Sequence, residues 1–204
     1  MNIYDLIVRR RTVRRFKEVP IGAELLQRCV NAARLAPSAS NLQPLEYIVV
    51  TDDELLPTMY DSVHWAGYLR PHGDPPEGHR PTAYIVILKN NKISTSTFSV
   101  YDIGEAVENI ILVAEAEGLG SCQFGSVERE KVREMFKIPP HYEIPLVIAL
   151  GYPDEKHSVD PYTDSPKYWR DEKGVHHVPK RSVEEVLHWN GFLVGKSESP
   201  NGKR

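Results

Sequence analysis

Residues 101–124 read YDIGEAVENIILVAEAEGLGSCQF, and the fold turns on this stretch. From Tyr101 to Glu117 apolar residues recur at helical spacing: Ile103, Ala106, Val107, Ile110, Ile111, Val113 and Ala114 cover most of the circumference. A helix apolar on nearly every side belongs in a core. Gly118 is its natural stop, since glycine enters the left-handed cap conformation at no steric cost. Ser121 to Phe124 then reads as a short strand. Such a helix also carries more hydrophobic surface than a 204-residue chain easily covers, so a second copy of the chain is expected against it.

The elements on either side follow from the same periodicities. Asn2 is placed to cap a short helix with Ile3, Leu6 and Ile7 on one face. A second helix is expected over Ala23–Leu35, with Leu25, Leu26, Cys29, Val30 and Ala33 as its apolar stripe and Pro37 marking its end. Strands are expected at Tyr47–Val50 and Leu146–Leu150. A third, Ala83–Leu88, has the continuous apolar run of a strand buried on both faces. Residues 54–69 are predicted helical and 70–82 form a loop rich in Pro and Gly. Ser126 is placed to cap a helix from Glu128 to Phe136. Ser182, with Glu185 three residues on, is a capping box opening a last helix around Val183, Val186 and Leu187. Helices outnumber strands, so the fold class is α+β, a modest sheet covered by helices. One domain is expected over residues 1–194, followed by a polar tail, Gly195 to Arg204, expected to be disordered.

Composition narrows the function classes. Hydrophobic residues make up 41% and charged residues 26%, as in an ordinary globular protein. A net charge of −3 gives no global attraction to nucleic acid or to an anionic membrane. No apolar stretch approaches the roughly 20 residues of a bilayer span, and the start of the chain lacks the basic and apolar regions of a signal peptide. A cytoplasmic location is the expectation. The two cysteines, Cys29 and Cys122, both lie in apolar stretches and are expected as buried thiols.

Two polar segments could carry chemistry. Arg9-Arg10-Arg11-Thr12-Val13-Arg14-Arg15 reads on composition as a solvated surface run or a small nucleic-acid patch, or else as a phosphate site, where guanidiniums and a hydroxyl at a helix end make charge-assisted hydrogen bonds. Pro37-Ser38-Ala39-Ser40-Asn41-Leu42-Gln43-Pro44 sets hydroxyls and amides between two stiffening prolines. It reads as a self-bonded turn or as a loop offering hydrogen bonds to a polyol or heterocycle. Gly118, Gly120 and Gly125 do not form a dinucleotide-binding glycine motif and follow a helix instead of opening one. His72 and His79 lack cysteine support, and His176 and His177 point opposite ways on an extended chain, so no metal site is expected.

Taken together, these segments resemble the nitroreductase-like FMN-dependent oxidoreductases. The resemblance rests on Arg10-Arg11-Thr12-Val13-Arg14, on Pro37 to Leu45 (with Leu45 where the family usually has Trp), and on Glu105 to Leu112 leading into Gly118 to Gly125. It rests also on Ile144 to Pro153 with its Gly151-Tyr152-Pro153 ending, and on Lys180-Arg181 before Val183. It covers about residues 3 to 190. What it implies is a mainly antiparallel sheet surrounded by helices in an intertwined homodimer, with FMN at the subunit interface.

The resemblance implies that Arg10, Arg11 and Thr12 bind the FMN phosphate and nearby ribityl oxygens, and that Arg14 lies near flavin N1 and O2. Ser38, Asn41 and Gln43 would reach the flavin of the other subunit. Phe124 and Gly125 would bring backbone groups to N5 and O4, and Lys180 and Arg181 would complete the phosphate site. Trp65 and Tyr68, i and i+3 on the expected 54–69 helix, are candidates for a substrate lid, though such a pair can simply pack. The implied activity is ping-pong transfer of hydride from NADH or NADPH through flavin N5 to nitroaromatics, quinones or related small acceptors, with no side-chain acid or base required. Alternatives are a specialised reaction of the family, such as reductive dehalogenation or flavin fragmentation, and a non-catalytic flavin-binding module.

Overall fold

Asn2 caps the first helix, its side chain accepting the Asp5 N–H at 2.9 Å. From this helix, α1 (Ile3–Arg9), the chain runs through β1 (Phe16–Lys17), α2 (Ala23–Arg34), β2 (Leu45–Val50), α3 (Leu56–Tyr60), β3 (Ala83–Asn90) and α4 (Ser99–Ala116). It continues through β4 (Gly120–Phe124), α5 (Arg129–Met135), β5 (Tyr142–Glu143), β6 (Val147–Pro153), β7 (His157–Pro161), β8 (Trp169–Arg170), β9 (His176–Lys180) and α6 (Val183–Val186). These elements come from a computed structural model that describes residues 2–69 and 73–192. The 195–204 tail and His72 lie outside the described residues. The chain divides into two compact units, Met1–Glu155 and Lys156–Arg204.

The first unit is built on one sheet in which β1, β3 and β4 pair with β6, and β2 and β5 pair with β3, every pair antiparallel. All eight residues of β3 are buried, as its unbroken apolar run predicts. Side chains alternate across a strand, so β3 feeds two cores. Tyr84, Val86 and Leu88 pack with Met59 of α3, Val132 of α5, and Val13 and Phe16. Ala83, Ile85 and Ile87 face the opposite way, toward Leu26, Cys29 and Ala33 of α2 and Ile103, Ala106, Val107, Ile110 and Ile111 of α4.

That packing corrects one expectation. Within one copy α2 and the sheet cover the apolar stripe of α4 from Ile103 to Ala114, so that stripe is not what calls for a second chain. Among the large apolar side chains left exposed are Ile3, Tyr4, Ile7 and Val8 on α1, and Phe98, Val100 and Tyr101 where α4 begins.

A second correction concerns residues 54–69. The helix there stops after five residues, at Tyr60. Val63 pairs with Val127 in an isolated bridge, Trp65 is drawn into the core, and only a single 3₁₀ turn, Gly67–Leu69, follows. Tertiary contacts outweigh the weak local preference for helix. The same bridge takes Ser126, whose carbonyl accepts the His64 N–H; the residue at the N-cap of α5 is Glu128.

The second unit is a three-stranded sheet in which β9 runs parallel to β7 and antiparallel to β8. His176 and His177 alternate as an extended chain requires: His176 is buried, while His177 stacks on Trp169 at 3.8 Å between ring centroids. Ser182 and Glu185 form the predicted capping box, on a helix of only four residues. Cys29 and Cys122 are free, buried thiols. Among the described residues no helix is long and apolar enough to cross a membrane.

Candidate functional site

The arginine run is laid against the sheet by the small residues beneath it. Arg10 leaves α1 with an extended ψ of 134°, Thr12 bridges Ser121 of β4, and the Val13 N–H donates to the Ser121 carbonyl at 2.8 Å. Val13 and Phe16 then point inward onto two glycines. A Cβ on Gly120 would stand 2.5 Å from Val13, and one on Gly151 would stand 2.7 Å from Phe16. No side chain fits at either position without displacing the segment. With Val13 and Phe16 anchored, Arg10, Arg11, Thr12, Arg14 and Arg15 are held half-buried along β4.

The charges of the run are partly matched. Arg9 pairs with Glu115 at 3.4 Å, and Arg10 lies 3.8 Å from Glu108, both acids on α4. The Arg11 guanidinium turns back on the end of α1, donating to the carbonyls of Val8 (2.7 Å) and Arg10. Burial, and then the neighbouring Arg10 cation, push the Arg11 pKa below its ordinary value against an opposing pull from Glu115. Among the described residues the Nε atoms of Arg10 and Arg11 are buried without a hydrogen-bond partner. Two adjacent, partly desolvated guanidiniums with donors to spare suit an anion such as a phosphate. Arg14 reaches β4: burial pushes the Cys122 thiol up to about 12 while the Arg14 guanidinium works against that rise. The Arg14 amide donates to Glu155.

The 37–44 loop is organised by a residue the sequence reading passed over. Asp102 of α4, 4% exposed, accepts the Ser38 hydroxyl and the Ala39 N–H, each at 2.9 Å. The Ser38 Oγ in turn accepts the Gln43 N–H at 3.0 Å. Ser40, Asn41 and Gln43 all take positive φ, 54°, 53° and 53°, a conformation uncommon for non-glycine residues. The Asn41 and Gln43 side chains are exposed, whereas the Ser38 hydroxyl is largely spent inside the loop. One signal was available for Asp102. It falls on the stripe of Ala106 and Ile110, and a carboxylate on an apolar helix face must find partners when buried.

Residues 7–152 match the sequence model of the nitroreductase family. The chain belongs to the nitroreductase family. A protein of Archaeoglobus fulgidus provisionally named an NADH dehydrogenase/NAD(P)H nitroreductase is 35% identical over 158 residues, covering 74% of this chain and 86% of the relative. The iodotyrosine deiodinase of Thermotoga neapolitana is 28% identical over 187 residues, 83% of this chain and 94% of the relative. Among solved structures, an FMN-dependent nitroreductase of Clostridium difficile R20291 superposes with a TM-score of 0.65 at 26% identity, covering 92% of this chain and 98% of that one. The family makes this protein an oxidoreductase, on a nitroreductase fold with a mainly antiparallel sheet.

The other expected site residues differ in their surroundings. Phe124 ends β4 buried edge-on against Trp65, 4.6 Å between ring centroids, and Trp65 also packs on Tyr60 at 5.8 Å. The Gly125 carbonyl accepts from Arg129 at 2.9 Å, and the same guanidinium holds the Ile144 carbonyl at 2.9 Å, so Arg129 fixes the chain just after Phe124. Sequence reading missed Arg129 because its partners are backbone carbonyls, which no side-chain pattern marks. Trp65 and Tyr68 do not share a helix: Trp65 is a core residue and Tyr68 is exposed. Lys180 and Arg181 belong to the second unit, where Arg181 donates to the Glu185 carbonyl at 3.0 Å. Among the described residues there is no cluster of His, Cys, Asp and Glu able to hold a metal.

Proposed function

We propose that the protein is an FMN-dependent NAD(P)H oxidoreductase whose flavin sites are shared by two copies of the chain. The observation that carries this reading is the Arg10–Arg11 pair, two adjacent guanidiniums half-buried beside β4, of which Arg10 has, among the described residues, only the long 3.8 Å contact with Glu108. With Thr12, the two arginines hold the phosphate and adjacent ribityl oxygens. Arg14, reaching β4 beside Cys122, lends positive charge to the pyrimidine edge, and the backbone at Phe124 and Gly125 lines the N5 side. When bound, FMN supplies the two-electron chemistry, accepting hydride from NADH or NADPH and passing it to a nitroaromatic, quinone or related small acceptor in alternate half-reactions. A fixed guanidinium where negative charge collects favours that charge without reorganisation.

The geometry of α4 supports a shared site. Glu108 and Glu115, seven residues apart on one helix face, meet the arginine run. Asp102 and Asn109, also seven apart, face the 37–44 loop and α2. At 3.6 residues per turn these faces are about 120° apart, and Asp102 lies about 9 Å along the axis from Glu108. The loop and the arginines of one copy thus leave α4 in different directions. The Asn41 and Gln43 side chains serve a flavin held by the partner's arginines. The exposed apolar side chains of α1 and the start of α4 give two copies a surface to bury.

The test is the purified protein itself: flavin absorbance, followed by heat release and chromatography of the supernatant. FMN is the expected product; FAD, or no flavin and no uptake of added FMN, overturns the reading. NADH oxidation with nitrofurazone or a quinone as acceptor then tests turnover. Reductive dehalogenation is the second reading, favoured by the likeness to iodotyrosine deiodinase along 83% of the chain. Iodide release from iodotyrosine without nitrofurazone reduction would select it.

A further inference from the structure

Asp102 is a buried carboxylate on the apolar face of α4, and hydride transfer makes no use of it. Both of its oxygens are committed to the 37–44 loop, one to the Ser38 hydroxyl and one to the Ala39 N–H. Through Ser38 Oγ the tie extends to the Gln43 N–H, so one side chain governs both ends of the segment containing Ser40, Asn41 and Gln43. The segment's other hydrogen bonds include the local ones from the Asn41 N–H to the Ser38 carbonyl (2.8 Å) and from the Gln43 side chain to the Asn41 carbonyl (3.2 Å), and one from the Asn90 N–H to the Pro44 carbonyl (2.8 Å). A cavity of about 150 Å³ lies behind it, lined among others by Ser38, Gln43, Tyr47, Asp102 and Ala106. A backbone with three left-handed non-glycine residues persists only where its surroundings over-determine it.

We propose that Asp102 is the positioning residue of the flavin loop: its carboxylate holds Ser38 and Ala39 so that Asn41 and Gln43 are presented, already ordered, to the flavin of the partner copy. The inference rests on the FMN reading above and goes beyond it by naming the group that preorganises half the site. Preorganisation matters because a loop that had to adopt this backbone on binding would lose affinity to the cost of ordering.

The experiment compares wild type, Asp102→Asn, Asp102→Ala and Ser38→Ala as apoproteins. Hydrogen exchange reads the Ala39 and Gln43 amides, quenching of FMN fluorescence reads affinity, and the visible band of bound flavin reports its surroundings. In Asp102→Ala both amides are expected to lose protection while the α4 amides from Ala106 to Ala114 keep theirs. The FMN Kd is expected to rise roughly 10- to 100-fold, the loss expected when hydrogen bonds to a charged group are removed. Asp102→Asn, which retains one acceptor, is expected to fall between Asp102→Ala and wild type. Ser38→Ala keeps Asp102 paired with Ala39 but removes the hydroxyl that links Asp102 to the Gln43 N–H, so it tests the relay even if the Asp102 variants fail to fold. Its Gln43 amide alone is expected to open, with weaker FMN binding. Wild-type FMN affinity in variants whose loop amides exchange freely overturns the proposal, as do loop amides that stay protected. No FMN uptake by wild type overturns the FMN reading itself, a result distinct from either.

Discussion

Val13 lies over Gly120 so closely that a Cβ on the glycine would stand 2.5 Å from Val13 Cγ2 and 2.6 Å from its Cβ. The contact joins the arginine run to β4, since Thr12 and Val13 on one side and Gly120 and Ser121 on the other are the residues that meet. Gly120→Ala is expected to cost about 1–3 kcal/mol, the usual range for overpacking a closed core. It should also weaken FMN binding by displacing Arg10 to Arg14. Urea unfolding of the apoprotein checks the first effect and FMN titration the second. In a Val13→Gly background the penalty should shrink, because the clashing atoms are gone. An equal penalty there would mean that the contact is not what strains the variant.

Arg14→Ala is expected to make the flavin potential more negative and to slow hydride transfer more than it weakens FMN binding. Removing one preorganised charge-assisted contact costs about 1.5–3 kcal/mol. An anaerobic redox titration decides: an unchanged potential leaves Arg14 a role against Cys122 and none toward the flavin.

A shared site can be tested by complementation. Asn41→Ala damages the loop, and Arg10→Ala damages the phosphate cradle at an arginine whose contact with Glu108 is long, 3.8 Å. Homodimers of either variant are expected to be impaired at both sites. Mixed dimers should contain one doubly damaged site and one intact site, so activity should return on mixing. Heterodimers verified by mass spectrometry but without recovered activity would show that each copy builds its own site.

His177 gives the second unit a pH dependence of definite sign. Its ring lies between Asp160 at 2.7 Å and Asp171 at 3.4 Å. Burial acts to lower its pKa, but the hydrogen bonds and charges of the two carboxylates prevail and raise it above the ordinary 6.5. A histidine whose pKa is raised by folding stabilises fully below its unfolded value and loses that contribution as pH rises through the folded value. Asp171 works oppositely. The Val175 N–H foremost, against some burial and with help from His177 and Lys173, lowers its pKa from 3.8, so its contribution fades as the medium turns acid. Hydrogen exchange at the Val175 amide, which donates to Asp171 at 2.7 Å, should quicken relative to the intrinsic rate above about pH 6.5. In His177→Gln that alkaline dependence should vanish; its persistence would exclude the imidazolium as cause.

Arg129→Ala strips the charged donor from the carbonyls of Gly125 and Ile144 at once. A loss of about 1.5–3 kcal/mol is expected, the range for hydrogen bonds to a charged group. Altered fluorescence of Trp65, which packs on Phe124, should accompany it. Melting of the variant measures the first, and emission spectra in a Trp169→Phe, Trp189→Phe background the second.

The sequence by itself determined what depends on neighbours along the chain. The apolar period of α4, the unbroken run of β3, the Asn2 cap and the Ser182–Glu185 capping box could be read because a helix turn or a strand pleat repeats within a few residues. The ordered motifs of the arginine run, the 37–44 loop and the 118–125 segment were enough to indicate the family. Only the tertiary structure decided what depends on distant partners. Residues 61–69 gave up a helix because Val63 found Val127 and Trp65 found Phe124. The apolar stripe of α4 from Ile103 to Ala114 proved to be covered by its own chain because α2 and the sheet lie against it. Gly120 and Asp102 were plain letters until Val13 stood over the one and Ser38 and Ala39 donated to the other. Steric exclusion and the pairing of a buried charge act between surfaces brought together only when the chain has folded, and no local period encodes them.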